Sequence, residues 1–236
     1  IAVSAAKLGA ADFLRKPLER SRFREAVERS VSLPEEKPVL SLDGIPGAEW
    51  LKGTGDKIRI LLKEMEAVVE RDDDVVIFGE AGIDKASVAR VIHEAGPLKH
   101  RRFVSLDLLS FARESSEAHF WSTIKELLEE RFGETPLSEL CGTILLEGIE
   151  GVSEHFTMSI LEFQKNRKTG AGFERIDRAV RIVIAFSDPE KLAELEGRGL
   201  LSSFLKLNIP PLRERVEDLP ILLHIYLEMF SKEYNK

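Results

Sequence analysis

The residues with the clearest chemical potential form the loop Gly-Glu-Ala-Gly-Ile-Asp-Lys at positions 79–85. The loop follows the apolar run Val75–Phe78 and precedes a segment with helical periodicity. A strand, a glycine-containing loop, a lysine and a helix N-terminus are typical of a phosphate-binding loop, because backbone N–H groups and an ammonium group surround the anion. The candidate nucleotide-binding residues are Gly79, Glu80, Gly82, Asp84 and Lys85.

Asp84 departs from this pattern, because it stands immediately before the lysine, where a phosphate-binding loop has glycine. A carboxylate about 4 Å from a phosphate oxygen costs about 4 kcal/mol at an effective dielectric constant near 20. That energy is a roughly thousandfold loss of affinity. We therefore predict a vestigial loop that binds ATP with magnesium weakly or not at all.

The elements that would position this loop alternate between short apolar strands and amphipathic helices. Strands are predicted at Val75–Phe78, Phe103–Leu106, Thr143–Leu146, Arg181–Phe186 and Lys206–Ile209. Helices are predicted at Ala86–Glu94, Glu117–Phe132, Glu154–Asn166, Pro189–Glu196 and Val216–Ser231, with a further amphipathic helix after the glycines at 53–55. This alternation predicts an α/β fold, a parallel sheet covered by helices on both faces.

Composition narrows the possible functions. The 236 residues carry a net charge of −7, which argues against a general nucleic-acid surface. The single cysteine, Cys141, excludes a disulfide framework within the chain. No apolar run reaches the roughly 20 residues that span a bilayer, so we expect a cytoplasmic protein. Because the chain opens on Ile1 and ends on a charged helical segment, we expect a fragment of a longer protein.

Three longer segments carry a family resemblance. They are AAKLGAADFLRKPL at 5–18, ARVIH at 89–93 and LNIPPLRERVEDL at 207–219. Together they resemble a bacterial sigma-54-dependent response regulator of the NtrC type, which joins a receiver domain to an AAA+ ATPase and a DNA-binding helix-turn-helix. The third segment follows the family's L-x-V-P-P-L-R-E-R-x-E-D-I nearly letter for letter.

The resemblance implies a division of the chain into four parts. Residues 1–31 would be a helix-strand-helix from the C-terminal part of a receiver, with Lys16 as its switch lysine. Residues 32–48 are rich in proline and glycine and would be a linker. Residues 49–209 would be the AAA+ α/β core, and 210–236 the start of a helical lid. DNA contact would then lie in a domain missing from this chain.

The family's catalytic positions are changed. In the Walker B strand the magnesium-side aspartate becomes Glu147 and the water-activating glutamate becomes Gly148. The sensing asparagine becomes Ser187. The arginines that act in trans fall on Leu200 and Lys206, and the G-A-F-T-G-A loop that engages sigma-54 has no counterpart. Since hydrolysis needs a positioned base and charge stabilisation, we assign no catalytic residue.

Two main functional hypotheses follow, beside a third in which the domain is a nucleotide-binding switch that binds but never hydrolyses. The first is a degenerate AAA+ regulatory module of a two-component response regulator, a pseudo-ATPase without hydrolysis and without sigma-54 remodelling. It would act through homo-oligomers and a regulatory protein. The second is a transcriptional activator with a working ATPase, in which Lys85 binds phosphate, Glu147 binds magnesium and Glu150 replaces the base.

Several residues also have plain structural interpretations. Lys85 would otherwise cap or pair locally with Asp84 or Glu147, and Glu147 would be a solvated or paired carboxylate at a strand end. Asp72-Asp73-Asp74 is interpreted as a solvated turn, and His93 as structural. Arg213 and Arg215 are expected to pair with Glu214, Glu217 or Asp218.

The helix at 117–132 carries an apolar stripe at i, i+3, i+4 spacing. The stripe consists of Phe120, Trp121, Ile124, Leu127, Leu128 and Phe132. We expect it to pack on the sheet. The alternative is a partner-binding helix in the position of the lost sigma-54 loop.

Overall fold

The structure is a computed structural model. It describes residues 40, 42, 44, 45, 47–114, 117–128, 140–169 and 180–233. These residues belong to one compact unit, Leu40–Lys236. The predicted receiver portion, including Lys16, lies outside the described residues, and the proposed domain boundaries remain predictions.

The described elements alternate between strands and helices. The strands are β1 (Val75–Phe78), β2 (Arg102–Asp107), β3 (Cys141–Glu147), β4 (Arg181–Phe186) and β5 (Leu205–Asn208). The helices are α1 (Asp56–Val69), α2 (Lys85–Ala95), α3 (Leu108–Glu114), α4 (Glu117–Leu128), α5 (Glu154–Thr169), α6 (Pro189–Gly197) and α7 (Leu219–Glu233). Short 3-10 turns occupy Glu49–Leu51, Ile149–Gly151, Leu212–Glu214 and Val216–Asp218.

The strands form one five-stranded sheet in the order β2-β3-β4-β1-β5. All neighbouring strands run parallel, and Val75 of β1 pairs with Val183 on one side and Leu205 on the other. In a parallel sheet the carboxyl ends of all strands lie at one edge, which is where open α/β sheets bind ligands. The loops after β1, β3 and β4 therefore meet at this edge.

The core lies in two apolar layers, one on each face of the sheet. One layer contains buried residues of α1 and α2, among them Ile58, Met65 and Ile92. The other contains α4, α5 and α6, for example Phe120 and Ile160. This arrangement confirms the predicted α/β fold with a parallel sheet and helices on both faces.

Helix α4 uses its apolar stripe for packing. Phe120 and Ile124 are buried, and Phe120 makes edge-on ring contacts with Trp121 and Phe156. The stripe is therefore part of the core, as the packing interpretation predicted. The predicted extension of this helix to Phe132 lies outside the described residues, and the separate helix α3 was not predicted.

The interpretation of the three aspartates as a solvated turn is wrong for Asp74. Its carboxylate is fully buried and accepts hydrogen bonds from the Ile182 backbone N–H (2.7 Å) and the Gln164 side chain (2.5 Å). Nearby, the buried Arg181 guanidinium donates to the Asp73 carbonyl at 3.1 Å. The carboxylate is buried because it satisfies a backbone donor where β4 begins.

In the part of the chain that the structure describes, no helix is long and apolar enough to cross a membrane.

Candidate functional site: the phosphate-binding loop and its neighbours

Lys85 begins helix α2 and is buried, with its side chain turned back over the loop. Its ammonium group donates to the carbonyl oxygens of Gly79 (3.0 Å) and Glu80 (3.2 Å). Burial lowers the pKa of Lys85, although the nearby carboxylates of Glu150, Glu147 and Asp84 oppose that shift. The predicted ion pair with Asp84 or Glu147 is wrong, because the ammonium bonds to backbone carbonyls.

Asp84 is the N-cap residue of helix α2. Its carboxylate accepts a hydrogen bond from the Ser87 backbone N–H at 3.0 Å and another from the Ser87 hydroxyl. Aspartate is among the preferred N-cap residues because its side-chain oxygen satisfies an orphan N–H of the first turn. An anion therefore already occupies the first turn of α2, and it belongs to the protein itself.

The unusual backbone conformation of the loop lies at Gly82, whose φ is +89°. Asp84 has φ −74° and ψ 81°, outside the left-handed region. An aspartate is consequently tolerated before Lys85 without backbone strain, since the glycine-requiring angle is two positions earlier.

Glu147 ends strand β3, and its carboxylate accepts a hydrogen bond from the Ser105 hydroxyl at 2.9 Å. The next residue, Gly148, has φ +76°. A Cβ atom at Gly148 would lie 2.9 Å from Leu109 Cγ, so the packing of helix α3 leaves no room for a side chain at this position. Among the described residues, no group of three or more His, Cys, Asp or Glu side chains is placed to hold a metal ion.

Glu150, the residue considered as a displaced base, is bonded to the backbone after strand β4. Its carboxylate accepts from the N–H of Ser187 and, at 3.2 Å, from the N–H of Asp188. Asp188 in turn caps helix α6 by accepting from Glu190 and Lys191. Glu150 thus joins the loop after β3 to the loop after β4, a role that its position in the sequence did not reveal.

The two arginines of the R-E-R motif have different partners. Arg213 forms a two-pronged ion pair with Glu80 of the phosphate-binding loop, so the prediction that it pairs within its own segment is wrong. This bond lowers the pKa of Glu80. Arg215 is buried and pairs with Asp218 at 3.0 Å, as predicted. It also donates to the carbonyl of Trp50.

Asp218 reaches across the chain to the start of helix α1. Its Oδ1 accepts from the backbone N–H groups of Thr54 and Gly55, both at 2.8 Å. Burial would raise the pKa of Asp218, but hydrogen bonds from Gly55, Arg215 and Thr54 outweigh it and lower the pKa. A Cβ at Gly53 would lie 2.4 Å from Asp218 Cγ, which explains the glycine there.

A cavity of about 840 Å³ lies beside the loop. The phosphate-binding loop contributes Gly82, Ile83 and Asp84 to its walls. The turn before α1 contributes Glu49 and Trp50, and helix α7 with the preceding turn contributes Arg215 and several apolar residues. Its volume is in the range of small-molecule sites.

The other positions singled out in the sequence lie apart from this loop or serve the fold. Lys206 forms an exposed ion pair with Glu196 at 2.6 Å. His93 is buried, with its ring nitrogens bonded to the Thr143 hydroxyl (2.9 Å) and the Arg101 carbonyl (3.0 Å). Cys141 is buried in the core.

The parallel sheet, the strand-loop-lysine-helix unit after β1 and the acidic residue ending β3 define a P-loop domain of the AAA+ class. The family description "Sigma-54 interaction domain" matches residues 51–208. The chain belongs to this family, as the resemblance to sigma-54-dependent regulators of the NtrC type predicted.

Among curated proteins, the response regulator PilR of Pseudomonas aeruginosa is 29% identical over 98% of this chain and 53% of its own length. The transcriptional regulator NtrC of Rhizobium meliloti is 26% identical over 98% of this chain and 50% of its own length. The chain thus spans about half the length of the curated relatives it matches.

Among solved structures, NtrX of Brucella abortus in complex with ATP shares the fold with a TM-score of 0.57 at 23% identity. The match covers 98% of this chain and 52% of that one. At this identity the likeness concerns the fold.

Proposed function

We propose that this sigma-54 interaction domain is a regulatory pseudo-ATPase: it keeps the AAA+ scaffold but neither hydrolyses ATP nor remodels sigma-54. The observation that carries the proposal is the state of the phosphate-binding loop. The Lys85 ammonium is bonded to loop carbonyls, and the Asp84 carboxylate caps α2. The two features that would attract a phosphate, the Lys85 ammonium and the N-terminus of α2, are thus bonded to groups of the chain itself.

The hydrolytic side supports the same proposal. Gly148 has no side chain to activate water, and Glu150 is bonded to two backbone N–H groups. The sequence between Asp107 and Cys141 also lacks the G-A-F-T-G-A segment that engages sigma-54 in the family. The domain would then act within a response regulator through contacts with further copies and with a regulatory protein, and DNA would be reached through another domain.

Calorimetric titration of ATP with magnesium tests the proposal. We expect no measurable heat for the unaltered protein, and binding restored by Asp84→Gly, by up to roughly a thousandfold if the charge is the block. Ser153→Gly is the matched control, because Ser153 also caps a helix by accepting from the Phe156 N–H, outside the phosphate-binding loop. It should not restore binding. Micromolar binding by the unaltered protein would overturn the proposal.

A second candidate, an ATPase with unorthodox residues, has one observation in its favour. The carboxylates of Glu147 and Glu150 lie near enough to Lys85 to influence its pKa. In that case Lys85 would hold phosphate, Glu147 would hold magnesium and Glu150 would act as base. Turnover that is present in the unaltered protein and abolished by Glu150→Gln would favour this candidate.

A further inference from the structure

The cavity of about 840 Å³ beside the phosphate-binding loop has walls of distinct chemistry. Apolar and aromatic side chains dominate, including Trp50, Leu222 and Tyr226. Two carboxylates, Glu49 and Asp84, also line it, and Arg215 is the one cationic side chain among its lining residues. An apolar pocket with a few charged groups selects its ligand by charge as well as by shape.

The single cation of the lining is already neutralised. The Arg215 guanidinium donates to the Asp218 carboxylate at 3.0 Å and to the carbonyls of Trp50 and Lys52 at 3.1 and 3.4 Å. Lys85, the cation of the phosphate-binding loop, is not among the lining residues of this cavity, and its ammonium group donates to the carbonyls of Gly79 and Glu80. Arg215 therefore offers the cavity no uncompensated positive charge.

The two acidic side chains of the lining make different contacts. Asp84 is bonded to the N–H and hydroxyl of Ser87, which are neutral donors. Glu49 is half-buried and forms no ion pair within the described residues. Burial, together with the carboxylates of Glu49 and Asp84, raises the pKa of the Tyr226 phenol. The cavity is therefore apolar with a net negative wall.

We propose that this cavity binds a small organic cation, a protonated amine attached to an aromatic body, in place of an anionic nucleotide. The ammonium group would lie toward Glu49 and Asp84, and the aromatic body against Trp50, Tyr226 and the apolar side chains of α7. The inference rests on the proposed function, because a loop that held ATP would bring phosphates to the same wall.

A charge series of one shape tests the inference. The probes are 2-(2-naphthyl)ethylamine, the corresponding neutral alcohol and 2-naphthylacetate, each titrated calorimetrically into the purified protein near pH 7. We expect the amine to bind at least about tenfold more tightly than the alcohol, since each partly exposed ion pair changes affinity a few-fold. The carboxylate should bind least.

Charge-neutral variants assign the preference to the two carboxylates. In Glu49→Gln with Asp84→Asn the amine should lose its advantage over the alcohol, while the alcohol binds as before. Asparagine is also a good N-cap, so helix α2 keeps its start. Glu214→Gln is the control, because Glu214 lies outside this cavity and should leave the amine preference unchanged.

The outcomes separate this inference from the pseudo-ATPase proposal. Equal binding of the three probes, or no binding of any, overturns the cation site, whatever ATP does. Binding of ATP with magnesium by the unaltered protein overturns the pseudo-ATPase proposal. An amine preference that persists in the doubly neutral variant shows that the selectivity arises elsewhere and refutes the assignment to Glu49 and Asp84.

Discussion

Asp218, in the turn before helix α7, bonds to the start of helix α1, and replacing it should be one of the most damaging single changes in the fold. The carboxylate is fully buried and accepts three hydrogen bonds, two from the N–H groups of Thr54 and Gly55 and one from Arg215. Asp218→Ala would leave two backbone donors without a partner. It would also leave Arg215 as a buried cation without its counter-ion.

The magnitude follows from these losses. Breaking a buried ion pair by removing one partner typically costs about 3–5 kcal/mol. The carbonyls of Trp50 and Lys52 still receive the guanidinium, but carbonyl oxygens carry no full charge. We therefore expect Asp218→Ala to lower the free energy of unfolding by about 3–5 kcal/mol. A typical domain has about 5–15 kcal/mol in total.

Urea denaturation followed by circular dichroism measures the change, provided that the slope with urea stays the same. Glu214→Ala is the matched control, because Glu214 forms an exposed ion pair with Lys57 at 3.7 Å. Such pairs contribute at most about 1 kcal/mol. A loss below 1 kcal/mol for Asp218→Ala, comparable with the control, would refute the view that this carboxylate holds α1 and the turn before α7 together.

Two further predictions concern His93 and Gly148. Burial lowers the pKa of His93 below its ordinary 6.5, so the unfolded chain takes up this proton first and stability should fall, by at most about 1.4 kcal/mol per pH unit, as the pH drops below 6.5. Urea denaturation at a series of pH values measures this fall, which should vanish in His93→Gln. It should persist in the control His100→Gln, because His100 is exposed. An unchanged pH dependence of the free energy of unfolding in His93→Gln would contradict the assignment to His93. Gly148→Glu restores the family's base but should lower the free energy of unfolding. The φ of +76° should cost about 1–2 kcal/mol, and the contact with Leu109 should cost more. We expect no ATP turnover from this variant. Adding Leu109→Ala to Gly148→Glu should recover only the stability lost through the contact with Leu109. Full stability of Gly148→Glu in the same denaturation assay would be evidence against backbone strain at position 148.

The sheet could be predicted from the sequence because its strands are short, apolar and separated by helical periodicity. Val75–Phe78 and Arg181–Phe186 were predicted with the bounds that the structure has. Helix α2 begins one residue earlier than predicted, at Lys85. Local pattern determines such elements, since each buries its own apolar residues against the sheet.

The polar contacts that hold the elements together could not be predicted in this way. Asp218 and Gly55 are 163 residues apart in sequence, and Asp74 and Ile182 are 108 apart. No periodicity encodes which buried carboxylate meets which backbone N–H. The aspartates before β1 therefore resembled an exposed turn, although one of them is inside the protein.

Asp84 is a residue to which two local rules apply. Its carboxylate would repel a phosphate bound in the loop. An aspartate immediately before a helix, three residues before Ser87, is also a typical N-cap. Both readings concern the same N–H groups, because a helix N-terminus binds a phosphate and a capping carboxylate through the same donors. The cap would therefore compete with a nucleotide directly, in addition to repelling it.

If the pseudo-ATPase proposal holds, this competition would explain how an AAA+ fold persists without nucleotide. An empty phosphate-binding loop exposes unsatisfied N–H groups and a lysine without an anion, both of which favour ligand binding. Here Asp84 satisfies the Ser87 N–H of the first helical turn, and loop carbonyls accept from the Lys85 ammonium. The contacts that hold the fold, those of Asp74, Arg181, Arg215 and Asp218, are made within the protein. Under the proposed function, the stability of the domain would not depend on ATP, and the cavity beside the loop would be available to a ligand of a different charge.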